Sequence, residues 1–147
     1  MIIADHAPVY PRVRLERDDK LNALHQAALF LHNDAGLDLQ QAQSSLLASA
    51  ALDSQVIGRC AAFVHATDPN CTAPAVLVMT LRHQIMWQAL RAPIDYLIVA
   101  RVPQLSGAQV VTALRAKAQA AVAANAERLA QWRDDPVALS LFADDIL

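Results

Sequence analysis

His65 is the residue best placed to do chemistry. It closes the run Ile57-Gly58-Arg59-Cys60-Ala61-Ala62-Phe63-Val64-His65, a small-residue turn leading into a short apolar strand, just ahead of the polar stretch Ala66-Thr67-Asp68-Pro69-Asn70. An imidazole titrates near neutrality and serves as nucleophile, base or proton carrier. A rigid strand would fix the ring, and a loop beyond it would leave the ring within reach of a substrate. Histidines in such places more often only cover the rim of a core, so the rest of the chain must supply the context.

The other candidates are weaker. His25 and His32 lie seven residues apart in one helical pattern, two turns from each other and too far for the adjacent-turn pairs that bind metals. His6 belongs to the N-terminal stretch and His83 to a turn. Cys60 and Cys71 have neither a CxxC nor a zinc-ligand spacing, which suits free thiols in a reducing cytosol. Asp144 and Asp145 read as a solvated acidic terminus. No Gly-x-Ser-x-Gly elbow or paired-carboxylate motif occurs, and three glycines cannot build a glycine-rich phosphate cradle. The expectation is therefore no metal and no cofactor.

The elements that must position His65 follow from periodicity. Residues 8–16 alternate apolar with polar but contain two prolines, which limits residues 1–17 to an extended arm or edge strand. Leu21, Leu24, Ala28 and Leu31 predict an amphipathic helix from Lys20 to Asn33, and Leu39, Ala42, Leu46, Leu47 and Ala50 a second from Asp38 to Ala51. Ala75 to Leu81 is apolar without alternation, as in a strand covered on both faces. Arg82 to Leu90 reads as a short strand or a turn of helix. Pro93 to Pro103 is the clearest strand, Ala108 to Leu129 a long alanine-rich helix, and Pro136 to Ala143 a last helix with proline in its first turn. Strands that are apolar on both faces, flanked by helices but not regularly separated by them, predict an α/β sandwich: a central mixed β-sheet with helices on both faces.

At 147 residues, 55% hydrophobic and 18% charged, the chain fits a single domain with a core of ordinary size. A formal charge of −2 without a basic stripe disfavours nucleic-acid binding. No apolar run approaches the ~20 residues that span a bilayer, and the first residues lack the pattern of a signal peptide, so neither membrane insertion nor secretion is expected.

The segment Ser49-Ala50-Ala51-Leu52-Asp53-Ser54-Gln55-Val56-Ile57-Gly58-Arg59-Cys60-Ala61-Ala62-Phe63-Val64-His65 resembles the stretch Arg-Glu-x-Leu-x-Ser-Thr-Gly-Ile-Gly-x-Gly-Ile-Ala-Ile-Pro-His of type-2 enzyme IIA domains of the bacterial phosphotransferase system, the fructose/mannitol and nitrogen-regulatory, PtsN-like branch. Leu52, Ser54, Ile57, Gly58, Ala62 and His65 match in register. Arg91 to Pro103 is similar to the family strand Gln-Pro-Val-Asp-Leu-Leu-Phe-Val-Leu-Ala-Val-Pro, and the helix from Ala108 takes the place of the family helix after it. The similarity runs from about Lys20 to the end.

The resemblance implies a single IIA-like domain in the cytoplasm. It implies that His65 accepts a phosphoryl group from an HPr-like phosphohistidine carrier and passes it to a permease domain or serves as a regulator. Ser49, Ser54, Gly58, Arg59 and Gln109 would neighbour the phosphate. Where Ser49 stands the family has an arginine, and where Gln109 stands a second histidine. The proline before the histidine is Val64 here, and the turn's second glycine is Cys60. These departures fall on the phosphate-holding residues and describe a degenerate site. They leave open a phosphotransfer-impaired module that acts through protein contacts around His65, or a domain that shares only the architecture. Phe63, Val64 and Ala66 are the candidates for an apolar docking surface around the ring, and Arg59 for a substitute cation.

Overall fold

The structure is a computed structural model that describes residues 7–52 and 55–147. It consists of β1 (Val9–Val13), α1 (Lys20–Ala35), α2 (Leu39–Ala50), β2 (Val56–Ile57), β3 (Ala61–Asp68), β4 (Ala75–Ile85), β5 (Ile94–Pro103), α3 (Ala108–Ala124), α4 (Leu129–Trp132) and α5 (Pro136–Ile146). The five strands form one mixed sheet in the order β1-β4-β5-β3-β2. β3 runs parallel to β5 along its whole length, β1 runs parallel to β4, and the β4–β5 and β2–β3 pairs are antiparallel.

Alternation along the strands sends side chains to two cores. Ala62, Val64, Ala66, Leu97 and Val99 pack under α1 and α2, whereas Ala61, Phe63, Ile98, Ala100 and Val102 pack under α3 and α5. The α/β sandwich expected from the sequence is the observed fold.

Helix starts are set by aspartates. Asp19 accepts from the Asn22 N–H, Asp38 from the Gln41 N–H, and Asp135 from the N–H groups of Val137 and Ala138 behind Pro136. Gly36, in the left-handed region at φ 72°, ends α1 by returning its N–H to the His32 carbonyl.

The largest differences from the sequence expectation fall at four boundaries. β3 does not end at His65 but continues to Asp68, because Ala66 is fully buried and the pairing with β5 extends to Asp68 opposite Pro103. The polar loop therefore starts later, at Pro69. β4 extends past Leu81 to Ile85 through an irregularity in its pairing with β5, and residues 86–93 are not helical. α3 stops at Ala124, not Leu129: the Asn125 side-chain amide donates to the Ala121 carbonyl at 2.8 Å, and the chain turns before the single turn of α4. α5 runs on to Ile146, which is buried. Asp144 is no solvated tail residue, since its carboxylate receives the Ala7 N–H at 3.4 Å.

Candidate functional site

His65 sits half-buried in the second half of β3, on the face covered by α3. Because β3 and β5 are parallel and α3 begins just after β5, the first turns of α3 lie over the C-terminal half of β3. In open α/β sheets this is the end at which ligands bind. A hollow of about 280 Å³ opens there, lined by Ser49, Leu52, Phe63, His65, Ala108, Val111, Thr112 and Arg115.

The edge of β3 explains the place of Ser49. β2 is only two residues long, so the N–H groups of Phe63, His65 and Thr67 have no strand to pair with. The Gln55 carbonyl takes the first at 2.7 Å, Ser49 Oγ the second at 3.0 Å and Ser45 Oγ the third at 2.9 Å. Four residues of α-helix rise ~6 Å, and two residues of strand advance ~6.6 Å. Serines at i and i+4 of α2 therefore match alternate N–H groups of a strand running the other way.

Ser49 Oγ also lies 3.1 Å from His65 Nδ1. A serine hydroxyl has one proton and two lone pairs. One lone pair holds the His65 N–H, and the oxygen can either receive a proton from Nδ1 or donate one to it. In the first arrangement the Nε2 lone pair is free. Ser49→Ala leaves a largely buried N–H without an acceptor and is expected to lower stability by about 1–3 kcal/mol. Urea denaturation of the variant checks this, and an unchanged midpoint would show that the bond contributes nothing.

The charge in the hollow comes from Arg115. Burial first, and the Arg115 cation second, hold the His65 imidazole below its usual pKa of 6.5, so the ring stays neutral to lower pH than a free histidine. The Arg115 guanidinium lies 6.0 Å from the centre of the Phe63 ring, and its Nε is enclosed without a hydrogen-bond partner.

Of the other residues expected near a phosphate, Ser54 lies outside the described residues. Gly58 and Arg59 form the β2–β3 turn at the opposite end of β3, on the order of 16–20 Å along the strand from His65. Arg59 is exposed there and is not the cation of the hollow. Gly58 packs against Val122, seven residues or ~10 Å further along α3 than Arg115. Gln109 is exposed in the first turn of α3 and does not line the hollow. The lining residues 108, 111, 112 and 115 form one helical stripe, and position 109 is rotated about 100° away from the first of them. Phe63, Val64 and Ala66 are buried in the two cores and present no docking surface, although the Phe63 ring forms part of the hollow's wall. Leu52 is a large apolar side chain exposed at this rim.

Arg115 lines the hollow although the motif around His65 does not point to it. Its signal is the i, i+3, i+4, i+7 stripe starting at Ala108, on which Arg115 is the one charged residue.

His6 lies outside the described residues, and the other three histidines bond to neighbouring groups away from the hollow. His32 Nδ1 meets the Leu37 carbonyl at 2.8 Å, His25 meets Gln43, and His83 pairs with Asp18 at the surface. Cys60 and Cys71 are free thiols. Burial, with Asp95 nearby, raises Cys60 to about 11, which makes it unreactive near neutrality. Among the described residues no three His, Cys, Asp or Glu side chains converge as a metal site, and no helix is long and apolar enough to cross a membrane.

No protein-family model matches the sequence, and no curated protein matches it. Among solved structures, the crystal structure of nitrogen regulatory protein IIA-Ntr from Neisseria meningitidis aligns with a TM-score of 0.60. The alignment covers 74% of this chain and 73% of that one. The fold is that of IIA-Ntr. At 18% identity, the likeness carries the architecture and assigns no role to any side chain. Within this IIA-like fold, the hollow beside His65 rests on its own geometry.

Proposed function

We propose that this IIA-like domain accepts a phosphoryl group on His65 from a phosphohistidine carrier protein. The observation that carries this reading is the joint placement of three groups in one hollow: a neutral imidazole, a serine that can hold its Nδ1, and an arginine cation. With Nδ1–H donated to Ser49, the Nε2 lone pair attacks phosphorus and a new N–P bond forms. The donor's N–P bond breaks, and the donor imidazole leaves with the electron pair. Both rings keep the proton on their other nitrogen, so the exchange balances without an outside acid or base. Charge in the loose transition state gathers on the equatorial oxygens, where a cation and N–H donors are most effective.

A second reading has one observation in its favour. Ser49 Oγ is already engaged by the edge of β3, where the related domains have an arginine, which fits a regulatory module whose contacts around His65 matter more than transfer. Incubation with a phosphorylated histidine carrier separates the two. The proposal expects one acid-labile, base-stable phosphoryl group per chain, found on His65 by mass spectrometry. Absence of label on His65 at any carrier concentration would leave the regulatory reading.

A further inference from the structure

We infer that Arg115 is the residue that binds the phosphoryl oxygens at His65, so that the site draws its cation from α3 instead of α2. The inference rests on the reading of the hollow as a place for a phosphoryl group, and it follows from elimination among the side chains that line it. Leu52, Phe63, Ala108 and Val111 have no polar side-chain atom to offer. The Thr112 hydroxyl donates to the Ala108 carbonyl at 3.0 Å and has only lone pairs left, which repel an anion. Ser49 Oγ accepts from the backbone N–H and from Nδ1–H of His65, which leaves its hydroxyl proton as a single uncharged donor. Arg115 alone among these residues offers a cation, with several donors at once.

Two features mark those donors as waiting for an acceptor. No carboxylate among the described residues pairs with Arg115, whereas Arg12, Arg101 and Arg133 each meet an aspartate at 3.0–3.3 Å. In addition, the Arg115 Nε is enclosed without a partner; the Arg133 Nε is too, but the rest of that guanidinium is held by Asp95 and two backbone carbonyls, whereas no hydrogen bond or ion pair among the described residues holds Arg115. The flat Phe63 ring beside the guanidinium limits its swing and supplies no competing acceptor. The first turn of α3, beginning at Gly107 without a side-chain cap, borders the same hollow at Ala108 and adds a weakly positive end on the same side. A planar guanidinium with several fixed N–H groups matches phosphoryl oxygens in a way that an ammonium does not.

The test uses the wild-type chain, Arg115→Lys and Arg115→Gln, each checked for fold by circular dichroism. Inorganic phosphate is titrated into the nitrogen-labelled wild type while the Arg115 Nε–H and His65 ring signals are followed by NMR. Both signals should shift together and saturate, Arg115→Gln should abolish the His65 response, and Arg115→Lys should retain part of it. In transfer from a phosphorylated carrier, Arg115→Gln should slow labelling by roughly 100-fold, the scale of losing one donor to a transition-state oxyanion. An Arg115 Nε–H signal that phosphate leaves unmoved in the wild type overturns the inference. Wild-type labelling that Arg115→Gln leaves at full rate also overturns it, while His65 would remain an acceptor. Phosphate binding that depends on Arg115, in a chain that takes no label from the carrier, upholds the cation and removes phosphotransfer.

Discussion

His65→Ala is expected to take up no phosphoryl group while keeping its fold. Loss of label follows from loss of the nucleophile, since no other described side chain in the hollow offers a nitrogen lone pair. Retention of the fold follows from which atoms Ser49 holds. Its bond to the edge of β3 is made to the His65 backbone N–H, which alanine keeps, and the Ser45 and Gln55 bonds on either side do not involve the ring. The substitution removes a half-buried ring and one ring contact, and is expected to lower stability by about 1 kcal/mol. Mass spectrometry after exposure to phosphorylated carrier, together with a urea melt of the same preparation, measures both effects. Full labelling of His65→Ala would place the acceptor elsewhere.

Gly58→Ala is expected to do the reverse, damaging the scaffold and sparing the chemistry. Gly58 has φ 66°, and a Cβ there would come 2.6 Å from Val122 Cγ1 on α3. The left-handed backbone alone costs a non-glycine residue about 1–2 kcal/mol, and forcing a methyl into packed structure adds about 1–3 kcal/mol. A loss of about 3 kcal/mol is therefore expected in denaturant unfolding, with labelling of His65 in the folded fraction unchanged. The glycine matches a motif that leads to a phosphorylated histidine, yet here its work is to let the β2–β3 turn approach α3 at the end remote from the hollow. A selective loss of transfer in a stable Gly58→Ala protein would mean that the turn belongs to the site after all.

These two positions show what could and could not be read from the sequence. Local chemistry was legible: the prolines bounding β5 and the proline in the first turn of α5 act where they stand. The layering was legible as well, because Leu77, Val78, Leu97 and Ile98 are apolar towards both faces of the sheet.

Relations set by distant pairing were not. The continuation of β3 to Asp68 depends on a parallel partner thirty-five residues later in the chain, Pro103 opposite Asp68. Ser45 and Ser49 read as ordinary polar positions of an amphipathic helix until α2 is laid antiparallel along an unpaired strand edge. The motif placed Ser49 near His65, and the structure adds a backbone bond that would exist whether or not phosphate is ever bound. For the cation, proximity in the chain favoured Arg59, but a strand carries its residues apart by more than 3 Å per step, while the rotation of α3 brings Arg115 to the ring from fifty residues away.

The identity of the phosphorylated nitrogen tests phosphotransfer to His65 at the level of single atoms. Chain carrying labelled histidine nitrogens, phosphorylated by a histidine carrier, can be examined by long-range nitrogen–phosphorus and nitrogen–proton correlation NMR. Phosphorus is expected on Nε2 of His65, with a proton retained on Nδ1 and protected by its bond to Ser49 Oγ. Phosphorus on Nδ1 would contradict it, because that nitrogen is the one Ser49 holds, and so would a chain whose His65 remains unmodified.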